Sequence, residues 1–190
     1  MPFFWVYSII IYSSCSVCKK SPFSANIGGG ATDLNGLTDC LVDTDSLYVG
    51  EVPSGLSGNP QSNTTLGIDV LNSLTSGVRN TCIGNDVATL LTTANENTVV
   101  GYQALQNQNT LGNTALGAYS GGNGSGGAYS VYVGYKSGQN NATNGHISIG
   151  GEAGYSNTSG TFNTNIGYQA GYSNTTGGSS TMIGYEAGKI

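Results

Sequence analysis

A short phrase of alternating constrained and variable positions recurs along most of the chain. In its clearest copies, residues 163–171 read NTNIGYQAG and residues 180–188 read STMIGYEAG. The residue before the first glycine is aliphatic in every copy, the residue three before it is mostly threonine or another β-branched residue, and the position between them varies freely. Such period-2 alternation is typical of a strand with one buried face. We predict that the threonine and aliphatic positions face inward and that the variable position faces outward.

The glycine of this phrase recurs at an almost constant interval, which indicates a stacked repeat. It occupies Gly50, Gly67, Gly84, Gly101, Gly117, Gly134, Gly150, Gly167 and Gly184, in steps of 16 or 17 residues. A unit this short cannot bury an apolar face alone, but it can do so when stacked on identical units. With a looser copy at residues 24–28, the sequence predicts an all-β parallel β-solenoid (β-roll) of about ten coils.

Two columns of side chains are predicted to line the coils. The aliphatic positions form a predicted core ladder, which comprises Ile83, Val100, Leu116, Val133, Ile149, Ile166 and Ile183. Four residues before each glycine lies a predicted polar ladder, whose asparagines are Asn63, Asn80, Asn97, Asn113 and Asn163. Stacked asparagine amides hydrogen-bond along such a column. His146, the only histidine, occupies one rung and is interpreted as a polar substitute for asparagine.

Tyrosine follows the glycine in several copies, at Tyr102, Tyr135, Tyr168 and Tyr185. We interpret these residues as an outward column that packs between chains, where tyrosine is enriched. A surface stacking column without a partner is the alternative. The predicted core is thin and the glycine-rich turns cost ordering entropy. The rod is therefore expected to bury further surface against copies of itself.

Composition and charge argue against several functional classes. Charged residues make up 8% of the chain, against about 25% in ordinary domains. The net charge is −5 and no basic cluster occurs, which argues against a nucleic-acid partner. We expect no enzymatic activity, cofactor or metal, because the carboxylates lie dispersed along the rod. Cys15 and Cys18 form a Cys-x-x-Cys pair, but Cys40 and Cys82 stand alone, so zinc spacing is absent.

Three segments differ in character. Residues 1–20 are apolar and are interpreted as a secretion signal, a lipid anchor at Cys15 or an inter-subunit docking element. They are the only expected membrane contact. Residues 21–62 are predicted to be an irregular lead-in and cap with the first coils, and residues 63–190 to be the solenoid. Glycosylation sequons, predicted to lie on turns, occur at Asn63, Asn123, Asn141, Asn157 and Asn174.

The copies at residues 97–105 and 163–188 resemble the head repeats of YadA-type trimeric autotransporter adhesins. They resemble equally the shaft repeats of phage and large-virus tail fibres. The resemblance covers roughly residues 63–190 and implies a left-handed β-roll with three chains side by side. One departure is the step of 16 or 17 residues, which is longer than in typical adhesin head repeats.

These observations favour a structural or adhesive fibre protein, a stiff extracellular, cell-surface or virion rod that presents its loops to a surface. Its expected partners are copies of itself, as a homotrimer or a filament, and surface glycans. The alternative is a subunit of a homopolymeric extracellular filament stacked end to end. An ice-binding solenoid is a minor alternative, disfavoured because the recurring threonine is predicted to face inward.

Overall fold

The computed structural model describes residues 40–43, 46–50, 53, 55–124 and 127–189. These residues form one sheet of ten short strands that are neighbours in sequence order. The strands are β1 (Cys40–Asp43), β2 (Ser46–Gly50), β3 (Thr64–Ile68), β4 (Thr81–Asn85), β5 (Thr98–Val100), β6 (Thr114–Leu116), β7 (Val131–Val133), β8 (Ile147–Ile149), β9 (Thr164–Ile166) and β10 (Thr181–Ile183).

β1 pairs antiparallel with β2, and every later pair is parallel. Each residue pairs with its equivalent one repeat later, as Leu66 does with Ile83 and Gly67 with Gly84. The predicted parallel β-solenoid is therefore confirmed. At about 4.8 Å per coil, β2 to β10 extend over roughly 40 Å.

The two faces of the strands are opposite to the prediction. The variable position is the buried one, and it is occupied by Tyr48, Thr65, Cys82, Val99, Ala115, Tyr132, Ser148 and Asn165. The threonine and aliphatic positions on either side are half-buried or exposed. The predicted core ladder is thus wrong at every position, namely Ile83, Val100, Leu116, Val133, Ile149, Ile166 and Ile183.

The strand faces are reversed because the turns supply most of the interior of the coil. The early coils are filled by large apolar turn residues such as Leu71, Leu74 and Leu91, all fully buried. The small position three after each glycine also faces inward as predicted, at Ala104, Ser120, Ser137, Ala153 and Ala170. Because the turns take up the space, the inward strand position must vary in size from coil to coil.

Tyr132 shows how the turns and the strand share this space. Its ring is fully buried and fits because Gly121 and Gly138 lie against it. A Cβ at Gly121 would lie 2.8 Å from Cδ2 of Tyr132. The strand position is variable in sequence because it is matched to the turns beside it, which a strand pattern alone does not show.

The recurring glycine lies within one residue of the end of each strand from β2 to β10 and has a positive φ, between 108° at Gly50 and 142° at Gly84. The next coil also approaches closely there, since a Cβ at Gly117 would lie 2.7 Å from the carbonyl oxygen of Gly134. Both conformational freedom and close approach therefore require glycine.

Some predictions lie outside the described residues. These include the apolar segment 1–20 with Cys15 and Cys18, and the looser copy at residues 24–28.

Cys82 is a buried free thiol whose pKa is raised by burial. No helix in the described part of the chain is long and apolar enough to cross a membrane.

Candidate functional site: an exposed strand face

The outward residues of β3–β10 form a continuous strip along the rod, here called the strand face. Strand after strand, it presents one β-branched residue and one aliphatic residue two positions later. Its members are Thr64, Leu66, Thr81, Ile83, Thr98, Val100, Thr114, Leu116, Val131, Val133, Ile147, Ile149, Thr164, Ile166, Thr181 and Ile183. Leu66 and Leu116 are each 50% exposed. Large contiguous apolar patches are unusual on the surface of a monomeric protein.

The threonines of the strand face have free hydroxyl groups. Thr64, Thr81, Thr98, Thr114, Thr164 and Thr181 make no side-chain hydrogen bond within the described residues. Other threonines, such as Thr75 and Thr89, do bond to the carbonyl of the next coil, at 3.1 Å each. The hydroxyls of the strand face are thus available to water or to another molecule.

A column of tyrosines borders the strand face just beyond the glycine corner. Tyr102, Tyr135, Tyr168 and Tyr185 are exposed, as predicted for an outward column. Tyr168 and Tyr185 stack with ring centroids 5.7 Å apart.

Tyr119 also belongs to this tyrosine column, although the sequence reasoning missed it. Its ring lies edge-on between Tyr102 and Tyr135, with centroid distances of 5.3 Å and 6.0 Å. It was missed because it follows Gly117 by two residues rather than one, and only the folded corner brings the three rings together.

The polar ladder lies inside the coil and is confirmed. The side-chain oxygen of each asparagine accepts the backbone N–H of the next rung, as Asn63 does from Asn80 at 2.9 Å and Asn80 from Asn97 at 3.0 Å. The side-chain amides of Asn80 and Asn97 also donate to the preceding rung, at 3.1 Å each.

The amides thus bond along the column, and Asn113 and Asn163 continue it with acceptor bonds of 2.9 Å each. We call these rungs, with Ser46, Ser130, His146 and Ser180, the asparagine ladder.

Three of the five sequons have a structural role that excludes a glycan. Asn63, Asn141 and Asn157 are fully buried. Asn63 donates to the Gly77 carbonyl at 2.9 Å, and Asn141 donates to the Tyr132 hydroxyl at 3.0 Å. The predicted sites at Asn63, Asn141 and Asn157 are therefore wrong for the folded chain, because no glycan fits inside a coil.

The other two sequons differ in accessibility. Asn123 is exposed, and Asn174 is half-buried in a turn that it closes with two bonds to Gly177. Asn123 is the more accessible of the two for a glycan.

Of the four carboxylates two residues after the glycine, Asp86 and Glu152 accept a hydrogen bond from an amide on the next coil. Gln103 donates to Asp86 at 3.3 Å, and Gln169 donates to Glu152 at 2.6 Å. Asp86 and Glu152 adopt positive φ angles of 55° and 56° at the corner. In the described residues no group of three or more His, Cys, Asp or Glu side chains could hold a metal ion.

The architecture places the described chain among the parallel β-solenoid proteins, with an exposed threonine and aliphatic face as its main surface feature. Comparison with protein families, curated proteins and solved structures finds no match.

Proposed function

We propose that this chain is a non-catalytic structural or adhesive rod of an extracellular, cell-surface or virion fibre, and that copies of it associate side by side through the strand face. The observation that carries the proposal is the outward position of the aliphatic column. Ile183 and Leu116 are 65% and 50% exposed, respectively. Each buried methylene contributes about 0.8 kcal/mol. A partner that covers this face therefore adds stability.

The tyrosine column supports the same arrangement. Aromatic residues, tyrosine among them, are enriched in protein–protein interfaces. The resemblance to trimeric adhesin heads and tail-fibre shafts favours three chains over two. Surface glycans are the expected class of receptor, contacted by the turns that remain outside the association.

The mass of the particle in solution tests the proposal directly. Sedimentation equilibrium of the full chain is expected to give a defined oligomer, with three copies as the leading expectation. The double variant Leu116→Glu/Ile149→Glu places two charges on the strand face and is expected to shift the mass towards the monomer. Asn107→Glu is the matched control, since it adds a charge to an exposed turn away from this face.

A wild-type monomer at every concentration, or an oligomer unaffected by the two glutamates, would contradict the association. Electron micrographs of the same sample distinguish its form. Short separate rods support the fibre segment, whereas long uniform fibres support the end-to-end filament.

One observation favours a second candidate, an ice-binding surface. The recurring threonines face outward with free hydroxyls at the strand spacing of about 4.8 Å, so the reason for disfavouring ice binding was wrong. Val131 and Ile147 interrupt the threonine column. A thermal-hysteresis assay on the monomeric fraction tests this candidate. Activity that is lost in Thr98→Lys would support it, and no hysteresis would exclude it.

A further inference from the structure

His146 occupies a rung at which the asparagine ladder is interrupted. The backbone N–H of His146 donates to Ser130 Oγ at 3.0 Å, so the bond from the preceding coil is intact. Asn163 is the next rung, and its N–H makes no bond to the imidazole, although Asn113 and Asn163 themselves each accept from the following rung at 2.9 Å. The contact between these two coils therefore lacks a hydrogen bond that the asparagine rungs provide.

The imidazole is fully buried, and a hydrogen-bond donor faces its ring. Nε2 lies 2.8 Å from Thr143 Oγ1, and the Asn157 amide nitrogen lies 3.4 Å from each ring nitrogen. Asn157 cannot turn its oxygen towards the ring without loss, because its Oδ1 accepts the Gly160 N–H at 2.9 Å and its Nδ2 donates to the Gly160 carbonyl at 2.8 Å. The amide thus presents N–H groups to the ring.

Among the residues that the structure describes, no charged group contacts the ring to compensate for its protonation. Thr143 contacts His146 from its own turn, Ser130 from the preceding coil, and Asn157 with Gly160 from the next turn. None of these groups titrates near neutral pH. An imidazolium donates from both nitrogens, and one of them would face the Asn157 donor. Burial accordingly lowers the pKa of His146 below its ordinary 6.5, against a smaller opposing effect of the Gly160 carbonyl.

We propose that His146 makes the rod acid-sensitive at one place, where protonation of its ring opens the contact between the coil of β8 and the coil of β9. The asparagine rungs elsewhere do not titrate, so they keep their coils together. A rod that loosens at one inner coil in an acidic compartment changes shape without dissolving its other coils. Because His146 lies inside the coil and not on the strand face, this inference does not depend on how the chains associate.

The direction in which stability changes with pH follows from proton linkage. The folded chain binds fewer protons at His146 than the unfolded chain does when the pH lies between the lowered pKa and 6.5. Stability at this coil is therefore complete above 6.5 and decreases as the pH falls through that window. The local opening equilibrium increases by about tenfold for each pH unit in the window.

Amide hydrogen exchange of the full chain, measured at about pH 7.5 and about pH 5 and corrected for intrinsic exchange rates, tests the proposal. The reporters are Ile147 N–H, which donates to the Asn163 carbonyl at 2.9 Å, and Gly154 N–H, which donates to the Ala170 carbonyl at 2.9 Å. Acid is expected to reduce their protection. Thr81 N–H, which donates to the Asn97 carbonyl at 2.8 Å, is expected to keep its protection.

The variant His146→Asn restores an asparagine rung and is expected to abolish the acid-dependent loss. His146→Ser serves if the asparagine variant does not fold, since serine is already a rung at Ser130 and Ser180. Equal loss of protection in wild type and variant, or loss spread uniformly over all coils, would overturn the proposal.

Discussion

At the scale of single residues, both demands of the corner, a positive φ and a close backbone approach, fall on only one of two adjacent glycines. Gly150 has a φ of +128°, and a Cβ there would lie 2.5 Å from the Gly167 carbonyl oxygen. Gly151 has no positive φ, and a Cβ there would meet only the exposed ring of Tyr168 at 3.3 Å. Two neighbouring positions with the same residue therefore differ in their need for glycine.

Gly150→Ala is expected to destabilise the chain by about 3 kcal/mol or more, because backbone strain adds to overpacking. Gly151→Ala is the matched control, and its effect is expected within about 0.5 kcal/mol. Urea denaturation followed by circular dichroism measures both. Similar losses for the two variants would contradict the distinction.

The asparagine ladder predicts a second residue-scale effect. Asn97 is fully buried, accepts the Asn113 N–H at 2.9 Å and donates to Asn80 at 3.1 Å. Asn97→Ala is expected to cost about 1–3 kcal/mol, because it leaves buried groups without partners. Asn107→Ala, on an exposed turn, is expected to be near neutral in the same denaturation experiment. A neutral Asn97→Ala would show that the ladder does not stabilise the stack.

Tyr132 predicts a loss of stability in alkali. Burial raises the pKa of its phenol to about 12, against smaller opposing hydrogen bonds that include one with Asn141. The folded chain therefore holds the phenolic proton more tightly than the unfolded chain, and the associated stability is lost as the pH rises from 10 towards 12.

In Tyr132→Phe this part of the alkaline decline is expected to disappear, while the neutral-pH stability falls by about 1 kcal/mol through loss of the Asn141 bond. The free energy of unfolding as a function of pH measures both effects. An identical alkaline slope in the two proteins would argue against a buried phenol.

At the scale of the element, the turn after β4 contributes more to the core than the strand does. Leu91 is fully buried in the apolar interior, whereas its neighbour Leu90 is 51% exposed. Leu91→Ala is expected to cost about 2–5 kcal/mol, because it leaves a cavity. Leu90→Ala is expected to cost much less in the same thermal or urea unfolding measurement. Comparable losses would mean that the turn does not supply the core.

At the scale of the whole molecule, each coil contacts chiefly its sequence neighbours, so the rod is expected to tolerate removal of one complete repeat. Deletion of residues 97–112 joins Glu96 to Asn113 and retains the register, since Asn97 and Asn113 are equivalent rungs. The shortened chain is expected to fold with reduced stability. Deletion of residues 97–104, about half a repeat, is the control and is expected to prevent the following coils from stacking, as measured by circular dichroism and protease resistance.

Particular residues show how much of the site could be predicted from the sequence. Asn97 and Asn113 were assigned to one ladder because their spacing equals the repeat, and stacking in register follows from that equality. Leu116 and Thr114 were assigned to the interior because they are apolar or β-branched, and this was wrong. Period 2 shows that two faces differ, but it does not show which face is inside. Tyr119 was not assigned to the tyrosine column because its place in that column depends on the fold of the corner.

By itself, the sequence determined the coil length, the register and the solenoid, because a repeated period allows equivalent residues to stack on one another. Only the tertiary structure decided which face of each strand meets the interior. The physical reason is that the turns close the coil and fill it with residues such as Leu71 and Leu105. The remaining space then accepts Tyr132 in one coil and Ala115 in another, and the threonine and aliphatic residues are left on the outside.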